Sequence, residues 1–218
     1  MLDAKRVLDQ LVGSGAAGGF AGGLAGGALA GMLTGKKGRK MMGSALKVGG
    51  LALVGGLAYK AWQDHRRAPD AVPGPVAPGP GEPTGVPAAF LPDPGDRAGT
   101  QALSVLLARS MISAAKADGQ IDTRESQAIL TRINELDVPA EDKAFLFEEY
   151  GRPLDIEGLA AQADSPEHAA EMYAASVLTV APPSPAERIY LDTLARALGL
   201  EAGLARKIHE AVEAQARG

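Results

Sequence analysis

The chain has no cysteine, which excludes disulfides, thiolate metal sites, cysteine nucleophiles and lipoprotein acylation. Aromatic residues are scarce, with four Phe, four Tyr and one Trp in 218 residues. A soluble core must therefore be packed from Leu, Ile, Val, Met and many alanines, which points to closely spaced helices. Proline is missing from residues 1–67, and no charged residue occurs between Leu11 and Thr34. The histidines His65, His168 and His209 stand far apart, with no HExxH and no paired spacing, so neither zinc nor triad chemistry is supported.

What is present falls into three unlike regions. Residues 1–67 carry ten Lys/Arg against three Asp/Glu and 16 of the 28 glycines. Residues 68–97 carry nine of the 15 prolines, and residues 98–218 carry 11 basic against 19 acidic residues. The sequence thus divides into a glycine-rich membrane-associated region (1–67), a flexible Pro/Gly linker (68–97) and an acidic helical domain (98–218). An acidic surface on the last part argues against nucleic acid as its partner.

Between Gly15 and Gly35 a glycine stands at every fourth position: Gly15, Gly19, Gly23, Gly27, Gly31 and Gly35. Residues four apart share a helix face, so these form a strip with almost no side chain. In water such glycines cost a helix roughly 1 kcal/mol each relative to alanine. In a bilayer the backbone must hydrogen-bond to itself, and a bare strip lets a second helix approach closely. The 24 uncharged residues from Leu11 to Thr34 would reach about 36 Å as a helix, enough to span. Hence the lipid bilayer and self-association through glycine-rich helices are the expected partners.

Residues 2–12 read as a short amphipathic helix lying in the headgroup region. Lys36, Lys37, Arg39 and Lys40 end the apolar run. A second apolar run, Met41 to Ala61, is interrupted by Lys47, and Tyr59 and Trp62 resemble an aromatic interface anchor. Two readings stand: a second span from Met42 to Trp62, or one span plus a helix that lies on the surface or packs against the first. Two spans would put the C-terminal domain outside; one would keep it in the cytoplasm. In the linker Phe90 and Leu91 are the bulky pair, placed to dock back on the domain.

Residues 98–218 read as helices throughout. Ser165-Pro166-Glu167 and Ser184-Pro185-Ala186-Glu187 are helix starts, and Gly119, Gly151 and Gly199 are stops. Asp122-Thr123-Arg124-Glu125 is a third start, and its echo of Ser184–Glu187 suggests a duplicated half-domain. Asp118, Asp122 and Glu125 gather three carboxylates at one helix start. They have the chemistry of a divalent-cation site, although helix capping explains them more simply.

The string Ala115-Lys116-Ala117-Asp118-Gly119-Gln120-Ile121-Asp122-Thr123-Arg124-Glu125 resembles the signature of TerB-like domains, helical folds first named for tellurite resistance. Ser184 to Leu200 is similar to the second half of that signature. The order of glycine zipper, linker and domain is similar to the YebE type of bacterial inner-membrane protein, a family of unknown function. The resemblance implies a compact all-helical bundle in a bacterial inner-membrane protein, with no established activity; no cofactor is expected beyond the divalent cation that the Asp118 cluster could take. It also implies an acidic residue near Ala181, which this chain lacks. The function expected is a membrane-tethered, non-enzymatic interaction module that binds a protein partner. The alternatives are a divalent-metal or metalloid-stress binder using the loop around Asp118, and a glycine-zipper oligomer acting on the membrane.

Overall fold

The computed structural model describes residues 2–13, 49–67, 86–93, 95–117 and 138–217, with positions 127, 130, 131, 133, 134 and 136 between the last two. Among them are eight helices and no strand: α1 (Ala4–Gly13), α2 (Gly50–Arg66), α3 (Arg97–Ala115), α4 (Ala140–Gly151), α5 (Ile156–Ala160), α6 (Pro166–Val180), α7 (Pro185–Ala197) and α8 (Ala202–Arg217).

Local chemistry sets the ends of these helices. The side chains of Asp96, Asp155 and Ser165 accept the amides of Gly99, Gly158 and His168, each satisfying one orphan donor of a first turn. Ser184 and Glu187 close a reciprocal capping box at α7. Gly199, at φ +65°, ends that helix in a conformation that a side chain would strain. The starts at Ser165 and Ser184 and the stop at Gly199 are those read from the sequence.

Helix α6 is the axis of the bundle. From Ala169 to Val177 every residue is buried, along with Thr179 and Val180. A helix apolar all round must be covered all round; α2, α3, α7 and α8 cover it. Ala169, Ala170, Ala174 and Ala175 let these neighbours approach. The buried hydroxyls of Ser176 and Thr179 donate to carbonyls one turn back, Met172 at 2.9 Å and Ala175 at 2.8 Å, so they carry no unmet donor.

Where the opening region is described, at 2–13 and 49–67, its apolar faces are covered by protein. Helix α1 buries Ala4, Val7, Leu8 and Leu11 in the protein core, against α3 and α2, rather than in a headgroup layer. Its first residues are clamped from two sides. Asp142 accepts the Asp3 amide at 2.9 Å, and Gln101 accepts the Ala4 amide while donating to the Leu2 carbonyl. Helix α2 is the described part of the second apolar run, and it too packs on protein: Leu51, Val54, Leu57, Ala58 and Ala61 face α8, α6 and α1. Among the described residues no helix is long and apolar enough to cross a membrane. The physical reason is simple. Leu, Val and Ala satisfy a lipid and a protein interior equally well, so a face of them does not say which will cover it.

Helices α1 and α2 meet where the chain departs after Gly13 and returns at Gly49. Asp9 accepts the Gly50 amide at 2.7 Å, supplying from α1 the acceptor that Gly49 cannot offer as N-cap of α2. A Cβ on Gly50 would lie 3.1 Å from both the Leu8 carbonyl oxygen and a Val12 methyl.

Candidate functional site

The densest concentration of unmet polar chemistry lies where α2 crosses α6. Glu171 has no exposed surface, and neither of its carboxyl oxygens has a hydrogen-bond partner. Burial drives its pKa up to about 9, and the charge of Glu167 one turn earlier adds to the shift. Glu171 is therefore a neutral acid at pH 7. Above it, α2 has no side chain: a Cβ on Gly55 would stand 2.6 Å from the carbonyl oxygen of Phe90 and 3.1 Å from Oε1 of Glu171. Gly55→Ala should therefore cost on the order of 1–3 kcal/mol through overpacking against backbone, read as a lowered Tm; an unchanged Tm would show that the Phe90 turn yields freely.

Phe90 arrives from the linker on a tight turn, its amide donating to the Pro87 carbonyl at 2.9 Å. The residue is 3% exposed, and its ring sits between Tyr59 and Trp62, with centroids 5.4 and 5.7 Å away. The Arg66 guanidinium lies 5.8 Å from the Trp62 ring centre.

Two open grooves lie near this junction. One, of about 610 Å³, is lined by Trp62, His65, Arg66, Asp164, Glu201 and Leu204. The other, of about 620 Å³, is lined by Ala88 and Pro92 of the docked linker, with Leu103, Leu106, Arg109 and His168. Both fall within the size range of ligand sites. A smaller cavity of about 180 Å³ lies beside Arg109, Lys116, Glu149 and Arg152. Its cations are already engaged: Glu149 takes Arg109 and Arg152 at 3.0 Å, and the Lys116 ammonium donates to the carbonyls of Glu149 and Arg152. Burial lowers the pKa of Lys116, while the Glu149 carboxylate opposes the shift.

The histidines each face one partner. His65 meets Glu201 at 3.0 Å, His168 meets Asp164, and His209 shares a 3.0 Å hydrogen bond with the Tyr173 hydroxyl. Burial lowers the pKa of His209 and raises that of Tyr173 to about 12. Among the described residues no group of three His, Asp or Glu side chains is placed to hold a metal ion.

A family model described as a protein of unknown function, DUF533, matches residues 19–212. The chain belongs to that family. No curated protein and no solved structure matches it. The DUF533 match begins within the glycine-rich run, after α1, and extends through α2 to most of α8.

In this DUF533 chain most residues singled out by sequence lie outside the described ones: Gly15, Gly19, Gly23, Gly27 and Gly31; Lys36, Lys37, Arg39 and Lys40; and Asp118, Asp122 and Glu125. The start Asp122–Glu125, on which the suggested duplication rests, therefore lies outside the described residues. Tyr59 and Trp62 are described, and both rings contact the Phe90 ring. Phe90 does dock back on the bundle. Glu171 escaped the sequence reading, yet it had a signal: it is the single acid among the small and apolar residues from Ala169 to Val180.

Proposed function

We propose that this protein is a non-enzymatic, TerB-like helical interaction module held at the bacterial inner membrane by its glycine-rich segment, as in proteins of the YebE type. The observation that carries the reading is the meeting of Asp9 and Gly50. The segment between Gly13 and Gly49 holds the long uncharged glycine-patterned run, and its two ends start from one spot on the bundle. Any passage into a bilayer must therefore return to the side it left. The bundle then sits directly on the membrane, not at the end of a long tether.

Length sharpens this. A helix from Gly13 to Thr34 would cross, but the eight residues after Lys40 reach only about 12 Å as a helix on the way back. A shallow glycine hairpin, with the basic cluster Lys36–Lys40 at the interface of entry, fits the distance. Such a hairpin needs a protein surface against its backbone, which its glycine rows offer to a second copy.

The absence of native cysteine makes the test direct. In single-cysteine variants Lys5→Cys, Lys60→Cys and Ile189→Cys, a membrane-impermeant maleimide should label all three from the same face of sealed vesicles. Labelling of positions 5 and 189 from opposite faces overturns the hairpin, and full recovery of the chain in the soluble fraction without detergent overturns the membrane reading.

A further inference from the structure

The neighbourhood of Glu171 contains acceptors and lacks a donor. The Phe90 carbonyl oxygen and Glu171 Oε1 share the space that a Gly55 side chain would fill, and neither Glu171 oxygen receives a hydrogen bond. A carboxylate facing a carbonyl oxygen in a dry interior is repulsive, and the cost of such unpaired burial is high. One proton removes the conflict, because a neutral acid carries its own donor.

We propose that Glu171 is a protonated latch: its carboxyl proton is donated to the Phe90 carbonyl, fastening the end of the proline-rich linker and helix α2 to the central helix α6. Loss of that proton turns the contact repulsive and expels the Phe90 turn. The aromatic seat between Tyr59 and Trp62 then opens, along with the groove whose wall is Ala88 and Pro92. The device thus couples one protonation event to the seating of α2, the helix that leads from the glycine-rich segment. It does not depend on the membrane reading, since every residue in it lies in the bundle.

All the packed helices carry titratable groups, and none of these hydrogen-bonds Glu171. Glu167 on α6 is the charge whose field reaches Glu171. On α2 the titratable groups are Tyr59, Lys60, Asp64, His65 and Arg66. On α3 Arg109 is bound to Glu149, on α7 Asp192 acts on Tyr173, and on α8 His209 is bound to Tyr173. None of these is placed by a hydrogen bond to stand in for the proton.

Trp62 is the single tryptophan and touches Phe90, so it reports the latch without a label. In the full chain in detergent, its emission should shift to longer wavelength as the pH rises towards 9, and Glu171→Gln, whose amide donates at every pH, should abolish that shift. Tyrosine ionisation is common to both proteins, so an identical profile in the two overturns the latch, as does a flat profile in both up to pH 10. Should the variant not fold, the infrared spectrum of the unaltered chain decides. A protonated carboxylic-acid carbonyl band at pH 7 that fades in step with the Trp62 shift supports the latch, and its absence at pH 7 overturns it.

Discussion

Expressed alone, residues 98–218 will fail to melt as a cooperative unit. The linker suggests a cut at this boundary, but the core crosses it. Ala4, Val7, Leu8, Leu11, Leu51, Val54, Leu57, Ala58, Ala61 and Phe90 are all buried, and all lie before residue 98. Seven of these are large, and burying each stabilises by about 1.5–3 kcal/mol before entropy is subtracted. The gross loss is on the order of 10 kcal/mol, comparable with the whole net stability of a domain. The exposed flanks of α3, α6 and α8 would remain helical and sticky. The fragment should keep its far-ultraviolet circular dichroism, lose its near-ultraviolet signal, bind a hydrophobic dye and show no sharp heat-capacity peak. A sharp peak within a few degrees of the full chain would mean that α1 and α2 are accessories to an independent domain. The result also bears on any search for partners: a fragment with an exposed core captures proteins indiscriminately, so such experiments require the full chain.

How far the fold was legible in the sequence depended on whether a signal was local. Ser165-Pro166, the Ser184–Glu187 box and Gly199 act within one turn, through a side chain on a nearby amide or a backbone angle, and the structure shows each of them at work. Helix α6 was legible as a helix for the same reason. The burial of α1 and α2 was not, because the covering surface comes from residues as distant as Asp142 and α8. Gly50 and Gly55 illustrate the ambiguity. Glycines in an apolar helix signal close approach, and close approach is what they provide, Gly50 to the Leu8 backbone and Gly55 to the Phe90 carbonyl, but the pattern does not name the partner. The functional junction was half legible. Phe90 was a bulky residue in a segment with little else to bury, whereas Glu171 looked like one more helix acid until its surroundings were known.

Glu171→Gln should stabilise the protein, and by an amount that grows with pH. Below pH 4.5 the acid is neutral in the folded and unfolded chains alike, so its ionisation contributes nothing to the balance. Its folded pKa is raised to about 9 from an ordinary value of 4.5, so between those limits the unfolded chain ionises and the folded chain does not. Stability is thus full below the unfolded pKa and falls as the pH rises, at about 1.4 kcal/mol per unit, until the folded acid ionises near pH 9. At pH 7 the penalty is on the order of 3–4 kcal/mol. Glutamine keeps the shape and the donor towards Phe90 but cannot ionise, so the variant escapes the penalty and retains the contact. Denaturant titrations at pH 5, 6, 7 and 8 should show the two proteins nearly equal at the acid end and diverging steadily towards the alkaline end. Parallel stability curves would mean that the Glu171 carboxyl is charged in the folded protein and has found a donor. A variant less stable at every pH would mean that the acid's proton makes a bond that the amide cannot replace.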